Sequence, residues 1–229
     1  MKRIIPLLIL LNFIFVPKEA RASINLFGYV FQDNAFSDSA QLISGKLDYW
    51  GFSKWGYPIT GDDTIDLPHA LNGSDLYTAI EGKLDNYNKN SYYTVEVNFV
   101  DNFLFNGNGS DLTVWERGSP EPFRVSIFNS QTNNWTESNY YQPDFVGMLS
   151  NSVDLSPDVN VAEVDFSYWS LPKDIPINKV RLTSDFDWSS ADIAALGGLN
   201  SRSVVPEPAS ILLFSFGGLG LLIRRKRKV

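Results

Sequence analysis

The sequence predicts an all-β protein: a jelly-roll-like β-sandwich, flanked by an N-terminal signal peptide and a C-terminal single hydrophobic helix. Two observations support this prediction. Between the two chain ends, short runs of alternating apolar and polar residues are separated by turn-forming Asn, Gly, Asp and Pro, and 14% of all residues are aromatic. At each end, an apolar segment lies beside basic residues. The chain has no cysteine, which excludes disulfides and thiolate catalysis.

The N-terminus has the composition of a secretion signal. Two basic residues precede an apolar stretch over 4–16, and the small residues Ala20 and Ala22 follow, with Arg21 between them. Cleavage after Ala22 is therefore expected, and residues 1–22 are predicted to be a signal peptide. The apolar stretch is much shorter than the roughly 20 residues that span a membrane, so a cleaved leader is favoured over an anchor.

Residues 23–199 are predicted to form the sandwich, which is long enough for one domain with a sizeable core. The clearest strand runs over 94–100, where apolar residues from Tyr93 onward alternate with polar ones. Further strands are expected at 112–115, 123–128, 161–166 and 177–183, with Trp135 beginning a returning strand. One short helical turn is expected at 192–196, Leu71 to Glu81 fits either a helix or a strand, and Asp62–Asp63 fits a loop.

The charge of this middle part limits its partners. Residues 23–205 retain ten of the 19 basic and 24 of the 26 acidic side chains, a net charge near −14. Nucleic acid is excluded as an expected partner, because phosphate binding requires a basic surface. Cations, neutral glycans and basic proteins remain as alternatives.

The C-terminal tail has three parts in a fixed order. After a short Ser-rich linker, 200–205, come the motif Pro206-Glu207-Pro208, an apolar run over 209–223 and a basic block over 224–228. Fifteen helical residues are only about 22 Å long, so this span is marginal for a membrane. The basic block is expected on the cytoplasmic side.

This tail resembles the PEP-CTERM sorting signal. The residues that carry the resemblance are Val205, Pro206, Glu207, Pro208, Arg224, Arg225, Lys226, Arg227 and Lys228. The resemblance implies that residues 206–229 hold the chain in the inner membrane transiently, until an exosortase, a bacterial membrane protease-transpeptidase, cuts near the proline motif. The expected partners are therefore exosortase and the secretion machinery, and the expected location is the cell envelope, surface or extracellular matrix. An ordinary retained tail anchor is the alternative.

A second, weaker resemblance covers part of the domain. The stretches 97–136 and 190–196 are similar to jelly-roll domains common in PEP-CTERM proteins, whose architecture resembles discoidin-like, galactose-binding modules. The second stretch departs from that pattern, because Ala194 occupies a position that usually carries an acid. The segment 190–196 therefore has one acid fewer than that pattern to offer an ion.

Calcium is the ion that the acidic loops favour. Calcium takes six to eight oxygen ligands from carboxylates, amides and carbonyls at loops. Asp101, Asp111 and Glu116 surround one strand–turn–strand segment and are the predicted ligands. The alternative is that they are turn formers and solubilising charges, since no EF-hand pattern is present.

Exposed aromatic side chains predict a glycan site, because sugar rings stack on them. The segment 49–57 is unusually aromatic, and Trp50, Trp55 and Tyr57 are the predicted binding residues, with Tyr140 and Tyr141 as further loop-like aromatics. The alternative is that these rings fill the core.

The residues favour a non-catalytic protein. His69 is the single histidine, no nucleophile-elbow pattern surrounds any serine, and no phosphate-binding glycine loop is present. The function we expect is binding or organisation of exopolysaccharide, as in a biofilm matrix. The alternatives are a structural matrix or adhesion protein without a defined ligand, and a glycan-active hydrolase on the same scaffold.

Overall fold

Two antiparallel sheets of six strands lie face to face and form the sandwich. This computed structural model describes residues 23–32, 34–50, 58–72, 76–83, 92–149, 158–185 and 190–203, with only the backbone described at residues 50 and 203. The predicted signal peptide, the predicted sorting tail and the predicted glycan residues Trp55 and Tyr57 lie outside these ranges. No helix within them has the length and apolar character required to cross a membrane.

The described strands are β1 (Ser23–Leu26), β2 (Tyr29–Gln32), β3 (Ser39–Gly45), β4 (Leu47–Trp50), β5 (Ala79–Gly82), β6 (Tyr93–Asn98), β7 (Asn102–Leu104), β8 (Leu112–Arg117), β9 (Phe123–Asn129), β10 (Asn134–Trp135), β11 (Asn139–Tyr141), β12 (Asp144–Met148), β13 (Asp158–Val164), β14 (Lys179–Ser184), β15 (Ile193–Gly198) and β16 (Ser201–Ser203). The helices are α1 (Asp63–Leu71) and a 3-10 helix (Phe166–Trp169).

The strand order confirms the predicted all-β, jelly-roll-like architecture. The first sheet has the order β10-β9-β14-β6-β3, with β11 also paired to β9, and the second has the order β12-β13-β8-β15-β5-β4. From β3 onward the chain passes repeatedly from one sheet to the other. Two ribbons, β1–β2 and β7–β16, complete the described pairings.

The main core lies between the two sheets. In β6, Val95 and Val97 are fully buried, which confirms the alternation read from the sequence. They pack in one cluster with side chains of the opposite sheet such as Val114 and Leu196. Burial of one such side chain contributes about 1.5–3 kcal/mol, so this cluster is the main source of stability.

A second core covers the outer face of the second sheet. Phe31 of β2 and the nearby Phe36 pack against Trp115 of β8 and against Ala195 of β15. Gly197 makes this close packing possible, because a Cβ there would lie 2.7 Å from Cε1 of Phe31. The β1–β2 ribbon is thereby held against this face.

Three local expectations require correction. The segment 192–196 is not a helical turn: Ile193–Gly198 is strand β15, whose small residues suit a position buried on both faces. Asp62 is the N-cap of α1 and accepts a hydrogen bond from the Thr64 amide, so the helix begins where a loop was expected. The first part of the expected linker, Ser201–Ser203, pairs with β7, and the ordered fold therefore extends past residue 199.

Candidate functional site

A cleft of about 360 Å³ lies beside β12, the edge strand of the second sheet. We call it the tyrosine–acid cleft. It is lined by Tyr29, Tyr141, Gln142, Asp144, Val146, Val161, Ala162 and Glu163. Aromatic, carboxylate and amide groups therefore share one concave surface.

The cleft forms where three parts of the fold meet. Asp144 of β12 lies opposite Val161 of β13 in the second sheet, and the nearly buried Val161 and Ala162 contribute its apolar surface. The β1–β2 ribbon contributes Tyr29, and strand β11 of the first sheet contributes Tyr141. The strand pairings place these side chains together from segments far apart in the chain.

Glu163 is the acid with the best-defined contacts in the cleft. The Tyr29 hydroxyl donates to its Oε1 atom at 2.5 Å, and the Ser110 hydroxyl donates to its Oε2 atom. These two hydrogen bonds lower the pKa of Glu163, so the carboxylate is ionised at neutral pH. Burial, together with the Glu163 carboxylate, raises the pKa of Tyr29 to about 12 and keeps the phenol protonated.

The neighbouring aromatic and amide groups are also held in place. The Tyr29 ring meets Trp115 edge-on at 5.4 Å between centroids, and the Tyr141 ring stacks on Phe123 at 6.5 Å. The Gln142 amide donates to the Pro120 carbonyl at 2.8 Å. Such an arrangement of rings, a carboxylate and an amide suits a hydroxyl-rich ligand.

A separate group of carboxyls, which we name the buried acid cluster after its fully buried member Glu116, also includes the half-buried Glu81, Glu121 and Asp192. Glu116 is fully buried in β8, and the Asn160 amide donates to its Oε2 atom at 2.5 Å. Burial, with the neighbouring Glu121 carboxyl, raises the pKa of Glu116 to about 10. Burial, with the charge of Glu81, raises the pKa of Asp192 to about 8. Both groups therefore hold protons at neutral pH.

The predicted calcium ligands occupy different surroundings. Asp101 lies beside Asp38, whose Oδ2 atom accepts a hydrogen bond from the Asp101 amide at 3.2 Å; burial and Asp38 raise the pKa of Asp101. Asp111 is fully buried and accepts hydrogen bonds from the fold itself, and Glu116 belongs to the buried acid cluster. Within the described ranges, no three His, Cys, Asp or Glu side chains are placed to hold one metal ion. Calcium binding stays a prediction.

The predicted glycan residues cannot be assigned to the cleft. Trp50 ends β4 with only its backbone described, and Trp55 and Tyr57 lie outside the described residues. Of the cleft residues, only Tyr141 stood out in the sequence as a loop-like aromatic. The sequence did not distinguish Glu163 from the many other acids of this chain, because nothing local indicates that Tyr29 donates a hydrogen bond to it.

The fold and the C-terminal tail define a class: an exported β-sandwich protein of the cell envelope or surface. The sequence comparison agrees, since residues 204–228 match the PEP-CTERM protein-sorting motif. The match covers about a tenth of the chain and marks a protein sorted by exosortase, held transiently in the membrane by its C-terminal region. No curated protein matches the sequence.

Two solved structures are similar to the described fold. One is a fucose binding module from Streptococcus pneumoniae, with 14% identity and a TM-score of 0.36 over 73% of this chain and 97% of that chain. The other is the enzymatically active domain of tailspike protein 4 from bacteriophage CBA120, with 9% identity and a TM-score of 0.31 over 72% of this chain and 19% of that chain. Because both TM-scores are below 0.5, the fold is described from the sheets of this protein alone.

Proposed function

We propose that the sandwich is a non-catalytic glycan-binding module that binds or organises extracellular polysaccharide at the cell surface. The tyrosine–acid cleft is the observation that carries this proposal. Its volume lies at the lower end of the range for small-molecule sites, which suits a short segment of a glycan chain. Tyr29 and Tyr141 supply ring faces, while Glu163 and Gln142 supply groups that hydrogen-bond sugar hydroxyls.

Substitution of Asp144 by alanine is expected to weaken glycan binding about tenfold, because it removes an exposed polar group from the cleft wall. The measurement is titration calorimetry on the full chain in detergent, with oligosaccharides from the polysaccharide of the host bacterium. Asp158→Ala is the matched control: this exposed acid lies at the far end of β13 and does not line the cleft. An equal loss of glycan affinity in both variants would contradict the proposed location of the binding site.

A glycan-active hydrolase is the second candidate, because two carboxyls, those of Asp144 and Glu163, share the cleft. Glycoside hydrolysis requires one carboxylic acid that is protonated at the working pH. The lowered pKa of Glu163 makes that residue a poor general acid. Release of reducing sugars by the wild type, abolished in Glu163→Gln, would support the hydrolase; binding without release supports the module.

The sorting tail gives a prediction about processing. Protein recovered from its own host should have an intact mass that begins at Ser23 and ends near Val205. A Pro206→Ala, Pro208→Ala double variant should retain the tail, because alanine removes the fixed backbone angles of the motif. Pro172→Ala is the control. A wild-type mass that still includes Arg224–Lys228 would instead indicate a retained anchor.

A further inference from the structure

The charges of the tyrosine–acid cleft all have one sign. Among its lining residues the ionisable acids are Asp144 and Glu163, and none of the lining residues is basic. The Ser110 and Tyr29 hydroxyls hold Glu163 in its ionised form. The charge of Asp144 contributes to the raised pKa of the Tyr29 phenol, so both acids lie near the same hydroxyl.

The rings of the cleft are of the type that attracts cations. Tyrosine faces carry partial negative charge and bind ammonium groups within about 6 Å of the ring centre. Tyr29 and Tyr141 lie in the same cleft as the two acids. Their rings are positioned by Trp115 and Phe123, so a bound cation does not need to order them first.

We propose that the tyrosine–acid cleft selects a glycan that carries a protonated amine, such as a hexosamine chain without its N-acetyl groups. This inference rests on the proposed glycan-binding function and adds the charge of the ligand. The amine donates to the Glu163 and Asp144 carboxylates, while the sugar ring packs against a tyrosine face. No bond forms or breaks in this step.

The same charges exclude the opposite class of glycan. A uronate or sulfated sugar would place its negative charge beside the Glu163 carboxylate, and like charges at an interface are repelled. Residues 23–205 as a whole are strongly acidic, so long-range electrostatic forces also attract positively charged glycans and repel negatively charged ones. An N-acetylated hexosamine keeps its hydroxyls but has no positive charge to pair with the acids.

The test compares three oligosaccharides of equal length at pH 6 and low salt: a glucosamine oligomer, its N-acetylated form and a uronate oligomer. Titration calorimetry with the full chain in detergent should give about tenfold tighter binding of the amine form than of the acetylated form, and no measurable binding of the uronate. The preference should decrease as salt is added, because both acids are exposed.

The control is a pair of variants with the same change in net charge. Glu163→Gln removes a charge inside the cleft and should bring the two hexosamine forms to within about twofold of each other. Asp158→Asn removes a charge outside the cleft and should leave the preference unchanged. Equal or tighter binding of the acetylated form by the wild type would overturn the amine inference and leave the glycan-binding function standing. If none of the oligomers and no host polysaccharide binds, both proposals fail.

Discussion

Replacing Asp111 with alanine should lower the free energy of unfolding by about 3–5 kcal/mol, a severe loss for a single domain. The Asp111 side chain is fully buried and accepts three hydrogen bonds. Its Oδ1 atom accepts from the Gly107 amide at 2.6 Å and from Asn200 Nδ2 at 2.7 Å. Its Oδ2 atom accepts from the Phe166 amide at 2.8 Å. Alanine would leave these three donors without their acceptor.

Asp111 therefore connects three separate parts of the chain. The Gly107 amide belongs to the turn before β8, Phe166 begins the 3-10 helix after β13, and Asn200 lies between β15 and β16. The Asp111 carbonyl also accepts from the Leu199 amide at 2.8 Å. Loss of the carboxylate should release the turn first, because a turn has no strand partner to hold it.

Urea unfolding followed by tryptophan fluorescence measures this effect. Asp174→Ala is the control, since an exposed acid should change stability by no more than about 0.5 kcal/mol. Repeating both titrations with calcium and with a chelator tests the calcium prediction. A wild type whose midpoint rises with calcium, beside an Asp111→Ala variant whose midpoint does not, would support it. Urea midpoints that calcium leaves unchanged in both proteins would contradict the calcium prediction.

The wild-type protein should lose stability as the pH rises, which is the reverse of ordinary acid denaturation. In the unfolded chain the Glu116 carboxyl has a pKa near 4.5, whereas in the fold its pKa is about 10. Between these values the folded state holds a proton that the unfolded state has released. Stability is therefore complete below about pH 4.5 and falls as the pH approaches 10, by at most about 1.4 kcal/mol per pH unit for one group.

Asp192 acts in the same direction over a narrower interval, from its ordinary pKa of 3.8 to about 8. The groups facing these two acids are Glu81, Glu121 and Arg117, and the negative neighbours disfavour a second charge there. Burial and the negative neighbours outweigh the charge of Arg117, so the fold favours the protonated carboxyls.

Glu116→Gln should flatten this pH profile. Glutamine has the shape of a protonated glutamate and can still accept the hydrogen bond from Asn160, but it releases no proton. We expect the wild type to lose about 2–4 kcal/mol of unfolding free energy between pH 5 and pH 8, and the variant clearly less. Chemical unfolding at several pH values gives both curves, with the exposed Glu137→Gln as control. A wild-type curve that rises over this interval would contradict the protonated state assigned to Glu116 and Asp192.

The all-β class and the sorting signals could be predicted because both depend on local patterns. The alternation around Val95 and Val97 has a period of two, and only an extended strand places such residues on one buried face. The proline motif and the basic block of the tail are read over about 25 consecutive residues, so no tertiary contact is needed to recognise them. The buried alternation and the sorting match were accordingly confirmed.

Local patterns failed where burial on both faces removes the alternation. The segment Ile193–Gly198 has small residues and two glycines, which favour a helical turn ended by glycine when the sequence is considered alone. In the fold, the strand lies between β8 and β5 and beneath Phe31, and the glycine at 197 is required by that ring. Contacts with residues distant in sequence therefore determine that this segment is a strand.

By itself, the sequence determined the β-sandwich class, the acidic charge, the absence of disulfides and the sorting tail, because composition and short-range periodicity contain this information. The tertiary structure alone decided which acids act together. Tyr29 and Glu163 are 134 positions apart, yet a hydrogen bond joins them in the tyrosine–acid cleft. Asp111 directly precedes β8 and Glu116 lies within it, yet they have unrelated roles as a structural acceptor and a protonated buried acid. Strand order brings distant side chains together, and it depends on the packing of the whole domain rather than on any one segment.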